Sequence, residues 1–142
     1  MFHVIEMPKV FTSEKQKVGK IGENIASKFL MKRGFVILDT NYTKKWGELD
    51  IVAVKEGALH FIEVKSVTRG TLTPTDNETR PNYRAEENMH PWKIKRMIRI
   101  IQTYLLSKKI DNNTKWQVDL LVVYLDLKNK KAKIKVVNNI IL

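Results

Sequence analysis

Residues 47–65 read GELDIVAVKEGALHFIEVK, and this stretch decides the fold that the sequence predicts. Two runs rich in apolar and branched side chains, residues 48–54 and 58–64, are typical of β-strands. Between them stands Glu56-Gly57, a pair that favours a two-residue hairpin turn. The two strands are therefore predicted to be antiparallel neighbours.

Side-chain alternation predicts that the charged residues of this hairpin gather on one side. In the first strand Asp50 shares a face with Glu48, while Leu49 and the residues that alternate with it share the other. In the second strand Glu63 shares a face with Lys65. Pairing about the turn brings Asp50 near the level of Glu63. Two carboxylates and an amine can thus converge on a hairpin whose opposite side is apolar.

Carboxylates in such a position need compensation. Burial costs several kcal/mol per ion, and two facing acids repel each other. Lys65 can offset one negative charge but not two. The chain has no cysteine, and hard carboxylate oxygens favour Mg²⁺ or Mn²⁺ over Zn²⁺. We therefore expect a divalent cation at Asp50 and Glu63.

Working outward from the hairpin, apolar periodicity and turn residues predict a single domain over residues 13–142, preceded by a flexible arm over residues 1–12. The expected elements are a helix over 13–33, a strand from 35 to about 42, the hairpin, a long polar loop over 68–88, a helix from Pro91, a strand over 116–125 and an edge strand over 131–137. This order predicts an α/β or α+β domain of three layers or fewer. The preferred architecture is an α/β core of three layers, in which helices flank a mixed sheet of about five strands.

Each predicted helix carries an apolar stripe. The expected buried residues are Val18, Ile21, Ile25 and Phe29 in the first helix, and Ile94, Ile98, Ile101 and Leu105 in the second. Glu23 falls at the edge of the first stripe. It either leans toward the sheet as a third acid or is an ordinary boundary residue satisfied by Lys20 or Ser27.

The charge of the chain indicates a polyanionic partner. It has 26 Lys and Arg against 15 Asp and Glu, a net charge of +11, which suits nucleic acid; the alternative is a solvated, lysine-rich surface. A membrane partner is not expected, because no apolar run approaches the ~20 residues of a spanning helix. No secretory signal is recognised either. A soluble, cytoplasmic location is expected.

Several basic residues are candidates for contact with nucleic acid. Lys44 and Lys45 lie in a predicted turn, Arg84 in the long loop, and Lys93 and Arg96 on the second helix. Lys93 is favoured because lysine and free N–H groups at a helix N-terminus suit a phosphate. For Arg84, closure over nucleic acid and a solvated loop are equally open.

Two further residues allow alternatives. Trp92 can stack on a base, but core packing is the stronger expectation. Asp119 interrupts an apolar strand and is expected to have a structural role, pairing with a lysine, rather than to lie at the site.

Three segments, Gly22-Glu23-Asn24-Ile25-Ala26, Gly47-Glu48-Leu49-Asp50-Ile51-Val52 and Phe61-Ile62-Glu63-Val64-Lys65, resemble the YraN family of the PD-(D/E)XK, or restriction-endonuclease-like, superfamily. The resemblance runs from about residue 18 to residue 124. One departure is that Leu49 stands where the superfamily name has proline, a residue without a chemical role.

The resemblance implies a role for each matching residue. Asp50 and Glu63 would be the metal-binding acids, with the Val64 carbonyl as a further ligand, Lys65 the catalytic lysine, and Glu23 the helix glutamate found in many members, placed here to bind a second ion. It implies a Mg²⁺- or Mn²⁺-dependent endonuclease acting on DNA, with branched or damaged DNA among its candidate substrates, and is compatible with a homodimer. The alternatives are a non-catalytic nucleic-acid-binding protein with the same fold and a protein-interaction module.

Overall fold

The computed structural model describes residues 2–6, 15–69 and 91–140. Its elements are β1 (Phe2–Glu6), α1 (Lys15–Lys32), β2 (Val36–Lys44), β3 (Gly47–Lys55), β4 (Ala58–Arg69), α2 (Pro91–Ser107), β5 (Trp116–Asp126) and β6 (Lys131–Val137). The predicted α/β class is confirmed. Of the helices in these ranges, none combines the length and the apolar character that crossing a lipid bilayer requires.

One mixed sheet contains all the described strands, in the order β1-β6-β5-β4-β3-β2. β4 and β5 are parallel, and the other neighbouring pairs are antiparallel. Between β4 and β5 the chain passes through α2, because parallel neighbours require a long crossover connection. The sheet thus has six strands rather than about five.

The additional strand corrects two predictions about the edge of the sheet. β1 pairs with β6, from Phe2↔Lys135 to Glu6↔Lys131, so the prediction of a flexible arm is wrong for these five residues. Residues 7–12 of that arm lie outside the described ranges. The prediction that β6 is an edge strand is also wrong, because β1 satisfies its outer row of backbone hydrogen-bonding groups.

The helices cover opposite faces of the sheet and make the predicted three layers. α1 packs through Ile25, Ala26, Phe29 and Leu30 on one face, and α2 packs against the other. α1 lies very close to β4, since a Cβ added at Gly22 would be 1.9 Å from the Ser66 Oγ. A side chain at residue 22 would have to displace the Ser66 hydroxyl, so this contact favours glycine. The end of α1 is as expected, with Gly34 at φ 89° directly after the last turn.

The buried stripe of α2 differs from the prediction. Its buried residues are Met97, Ile100, Ile101 and Tyr104, so of the expected four only Ile101 is fully buried. The rotation of the helix is explained by Tyr104, whose hydroxyl donates a hydrogen bond of 2.6 Å to Asp39 Oδ2. Its ring also packs edge-on against Phe61, with 5.7 Å between centroids. Tyr104 therefore buries a large ring without leaving its hydroxyl unsatisfied.

The central hairpin forms at the predicted turn. Lys55 pairs with Ala58, and both turn residues have positive φ, 52° at Glu56 and 79° at Gly57, as a type I′ turn requires. The β3–β4 pairing runs from this turn to Ile51↔Ile62. Beyond that pair β3 continues against β2, and β4 continues against β5. The two strands of the hairpin therefore separate and leave a fork in the sheet.

Candidate functional site

Asp50 lies at this fork, one residue beyond the last β3–β4 pair. Asp50 is only 8% exposed, although its side chain is ionisable and its neighbours along β3 are apolar. The Val64 backbone N–H, freed by the separation of the strands, donates a 2.8 Å hydrogen bond to Asp50 Oδ2. The fork thus turns a backbone donor of β4 toward the carboxylate of β3.

The alternation of side chains breaks at the same place. Leu49 packs in the cluster under α2 together with Val52, whereas Ile51 and Ala53 pack in the cluster under α1. The prediction that Leu49, Ile51 and Ala53 share one apolar face is therefore wrong. The irregularity coincides with Asn41 on the neighbouring β2, which has a positive φ of 52°. A strand with this irregularity can hold a carboxylate between the two faces of the sheet.

Four carboxylates influence one another around the fork. Burial, together with the charges of Glu63, Glu23 and Glu48, raises the pKa of Asp50 to about 8, against the lowering effect of the Val64 N–H. Asp50 and Glu63 are therefore close enough to interact, as their predicted register requires. Glu48 is a member that the sequence analysis left unassigned, although it shares the predicted face of Asp50.

Glu23 reaches this group from α1. Burial raises its pKa, Glu48 and Glu63 raise it further, and a hydrogen bond from the Asn41 side chain lowers it. Of the two alternatives for Glu23, the structure favours the one in which it leans toward the sheet. The partner of its carboxylate is Asn41 on β2, a contact between elements that helical periodicity alone does not reveal.

The positive charge beside the acids comes from α2. Lys93 Nζ lies 3.2 Å from Glu63 Oε1. Within the described residues no ion pair forms at Lys65, the lysine expected to offset one acid. Burial lowers the pKa of Lys65, and the charge of Lys93 lowers it further, so the two amines lie near each other. Sequence reasoning selected Lys93 for phosphate and missed its contact with Glu63.

The donor chemistry of this cluster fits a hard divalent cation. Asp50 is buried among like charges, and in the described part of the chain no Lys, Arg or His lies within ion-pair distance of it. Carboxylate oxygens are the ligands that Mg²⁺ and Mn²⁺ prefer. The side chains are not yet arranged as a complete ligand set, since no three His, Asp or Glu groups of the described residues converge to hold an ion. Glu63 is paired with Lys93 instead.

The predicted nucleic-acid contacts are placed unequally. Lys93 and Arg96 line a groove of about 240 Å³ together with Glu48, Glu63 and Trp92. Lys44 and Lys45 are exposed at the β2–β3 turn, and the Lys44 amine lies 5.2 Å from the centroid of the Tyr42 ring. Arg84 lies outside the described residues. The expectation that Trp92 packs in the core is wrong, because it is 58% exposed.

A second cavity, of about 630 Å³, lies at the hairpin-turn end of the sheet. Its wall contains His60, whose Nδ1 is 2.6 Å from Asp119 Oδ2. The Gln117 side-chain amide and the Asn139 backbone N–H donate to Asp119 Oδ1 at 2.7 and 2.9 Å. The expected structural role of Asp119 agrees with these contacts. Its partner is a histidine from the parallel neighbour β4 rather than the expected lysine.

Comparison with known proteins adds relatives over most of the chain. The model of the uncharacterised protein family UPF0102 matches residues 22–123. A UPF0102 protein of Campylobacter fetus subsp. fetus is 37% identical over 119 residues, which cover 84% of this chain and 88% of the relative. A UPF0102 protein of Alkaliphilus oremlandii is 34% identical over 125 residues, which cover 87% of this chain and 97% of the relative.

Among solved structures, SfsA of Pyrococcus furiosus in complex with Ca²⁺ aligns with 89% of this chain and 64% of its own chain. At 13% identity and a TM-score of 0.32, this likeness supports no argument about chemistry. The family match is different, because it covers most of the chain and includes all three quoted segments. The resemblance to the YraN family, which is the UPF0102 family, is confirmed. The chain belongs to the uncharacterised protein family UPF0102.

Proposed function

We propose that this protein is a metal-dependent endonuclease of the PD-(D/E)XK, restriction-endonuclease-like type that hydrolyses phosphodiester bonds of DNA. The observation that carries the proposal is the fork itself. It buries Asp50 beside Glu63, Glu23 and Glu48, Lys93 pairs with Glu63, and Lys65 lies close enough to Lys93 to feel its charge. A six-stranded mixed sheet between helices is consistent with such a fold.

A cation would resolve the electrostatic conflict at the fork. With a pKa of about 8, Asp50 holds its proton at neutral pH while like charges surround it. Binding of Mg²⁺ or Mn²⁺ would favour the ionised carboxylate and release that proton, because metal ligands must be deprotonated. Asp50, Glu63 and the Val64 carbonyl are the groups proposed to hold the ion, with Glu23 available for a second one.

The chain's own residues would divide the remaining work. When bound, the ion supplies a polarised phosphate oxygen and a water of lowered pKa. Lys65 would hold the attacking water and face the charge that develops on the phosphate. Burial and the charge of Lys93 lower the pKa of Lys65, so its ammonium group is more acidic than that of a solvated lysine. Lys93, whose amine pairs with Glu63 in the structure, would instead bind the adjacent phosphate.

The surroundings of the site suit a polyanion. The net charge of the chain is +11 although four acids gather at the fork. Arg96 lines the same groove as Glu63, and Lys44 and Lys45 project from the nearby β2–β3 turn. Lysine and arginine side chains at the rim would attract the nucleic-acid backbone, and the carboxylates would hold the metal ion that assists hydrolysis.

The test is cleavage by purified protein of single-stranded, duplex and branched DNA in Mg²⁺ or Mn²⁺. We expect Asp50→Asn and Lys65→Met each to lower the rate at least about 100-fold, the usual effect of removing one transition-state contact. The matched control is Glu56→Gln, an exposed acid at the opposite end of the same hairpin, which should cleave like wild type. No cleavage of any substrate, or cleavage that Asp50→Asn leaves unchanged, would contradict the proposal.

The second candidate is a nucleic-acid-binding protein without turnover. The ion pair between Lys93 and Glu63 favours it, because this contact neutralises one acid without a metal. Such a protein would bind DNA in a salt-dependent way, with an affinity that neither EDTA nor Asp50→Asn changes, and would not cleave.

A further inference from the structure

Large aromatic and cationic side chains follow one stripe of α2. Trp92, Arg96, Arg99 and Thr103 are spaced by four, three and four residues, so they lie above one another on the helix surface. The stripe lies apart from Met97, Ile100 and Tyr104, which face the core. Its composition is therefore not explained by packing against the sheet.

Two cation–aromatic contacts order this stripe. The Arg96 guanidinium lies over the Trp92 ring, 5.5 Å from its centroid. The Arg99 guanidinium lies 4.9 Å from the centroid of Trp46, which comes from the β2–β3 turn. The Trp46 indole N–H donates a 3.0 Å hydrogen bond to Thr103 Oγ1 and fixes that ring. We call Trp92, Arg96, Trp46 and Arg99 the stacking ridge.

Trp92 is the exposed end of the ridge. It is 58% exposed, an unusual position for the largest apolar side chain, whereas Trp46 is half-buried. A flat ring that is held by arginine and open to water presents a face on which another flat ring can stack. Nucleobases are such rings, and the phosphates that join them suit the arginines.

The ridge adjoins the acid fork. Trp92 and Arg96 line the groove that also contains Glu48 and Glu63. Lys93, the neighbour of Trp92, pairs with Glu63. A base stacked on Trp92 would therefore place its own phosphate beside Lys93 and the carboxylates.

We propose that the stacking ridge binds an unpaired nucleobase, so that the substrates of this protein are nucleic acids with single-stranded nucleotides next to the reacting phosphate. The proposal rests on the proposed function, because it names the substrate class of the same site. Bases of an intact duplex stack on each other and expose only their edges. A single strand, a flap, a gap or an overhang exposes a face that Trp92 can cover.

The test measures binding without cleavage, in EDTA, with the full chain. The probes are a 12-nucleotide single strand of thymidine, a blunt duplex and the same duplex with a single-stranded overhang. We expect the single strand and the overhang to quench tryptophan fluorescence and to bind more tightly than the blunt duplex. Trp92→Ala should weaken single-strand binding about 5- to 150-fold, the range of one base–aromatic stack, and leave blunt-duplex affinity within about twofold.

Three controls separate stacking from other causes. Trp92→Phe keeps a ring and should retain most of the affinity, whereas Trp116→Phe, on β5 at the other end of the sheet, should change nothing. The salt dependence of binding should be the same in Trp92→Ala and wild type, because no charge is removed. A circular dichroism spectrum like that of wild type verifies the fold of each variant.

The result that would overturn the proposal is equal binding of blunt duplex and single strand, or single-strand affinity that Trp92→Ala leaves unchanged. The two proposals can fail separately. If DNA is cleaved but Trp92 makes no contribution to single-strand binding, only the proposed substrate class is refuted. If the protein binds single strands through Trp92 but wild type cleaves no more DNA in Mg²⁺ than Asp50→Asn does, the endonuclease proposal is refuted. The protein would then be a single-strand-binding protein.

Discussion

Asp50 and Asp119 are two buried carboxylates of one sheet, and their surroundings are opposite. Asp119 is 3% exposed and receives hydrogen bonds from His60, Gln117 and the Asn139 backbone. Asp50 is 8% exposed, accepts a hydrogen bond from Val64 and is surrounded by like charges. Hydrogen-bond donors of the protein compensate the first carboxylate, whereas one backbone N–H compensates the second only in part.

The difference separates a structural carboxylate from a functional one. Burial of a charge is tolerated where donors compensate it, as at Asp119. At Asp50 the fold accepts an electrostatic penalty that the Val64 N–H offsets only in part. A site that carries such a penalty in the free protein is a candidate for ligand binding, since the ligand then supplies the missing compensation.

The largest expected effect on stability is at Asp119. Asp119→Ala removes a buried acceptor of three hydrogen bonds and leaves their donors, which include the half-buried His60 and Gln117, unpaired, so we expect a loss of about 3–5 kcal/mol in the free energy of unfolding. Urea denaturation followed by circular dichroism measures it. Glu56→Gln, at the exposed turn, should stay within about 0.5 kcal/mol of wild type. A loss below about 1 kcal/mol at Asp119 would remove the contrast with Asp50.

Asp50→Asn should act in the opposite direction and depend on pH. The folded protein holds a proton on Asp50 up to a pKa of about 8, whereas the unfolded chain releases it near 3.8. The folded state thus binds more protons between these values, and its stability falls as pH rises through that window. Asparagine does not titrate, so the free energy of unfolding of the variant, relative to that of wild type, should rise by about 1–3 kcal/mol from pH 5 to pH 8.

The measurement for Asp50 is a pair of urea titrations in EDTA at pH 5 and pH 8 for wild type and variant. Glu56→Gln, at the exposed hairpin turn, serves as the comparison variant. If Asp50→Asn is less stable than wild type at pH 8, the claim that the ionised Asp50 carboxylate destabilises the folded protein is contradicted.

The smallest expected effect is at Lys93. Its amine is partly exposed, so Lys93→Met should lower the free energy of unfolding by less than about 1 kcal/mol. The pKa of Lys65 should rise, because the charge of Lys93 lowers it in wild type. Titration of the Lys65 side chain by NMR tests the pair. An unchanged Lys65 pKa would mean that the two amines do not interact.

Local sequence patterns were sufficient to predict the β3–β4 hairpin and the register that places Asp50 near Glu63. Glu56-Gly57 fixes the turn, and the turn fixes the register that brings Asp50 toward Glu63. Gly34 likewise marks the end of α1. These features depend on residues close together in the chain, where turn chemistry and side-chain period decide the outcome.

Contacts between distant segments could not be predicted in the same way. β1 pairs with β6 across nearly the whole chain, and five residues give too little pattern to indicate a strand. The rotation of α2 depends on the hydrogen bond between Tyr104 and Asp39. The pairing of Lys93 with Glu63, and of His60 with Asp119, each requires knowing which elements are neighbours.

The most direct measurement is titration of Mn²⁺ into wild type and Asp50→Asn by isothermal calorimetry at pH 7, in buffers of different ionisation enthalpy. We expect wild type to bind the ion and to release close to one proton, which comes from Asp50. Asp50→Asn should bind at least about tenfold more weakly and release none, whereas Glu56→Gln should match wild type. Equal affinity and equal proton release in wild type and Asp50→Asn would contradict the assignment of the fork as the metal-binding site.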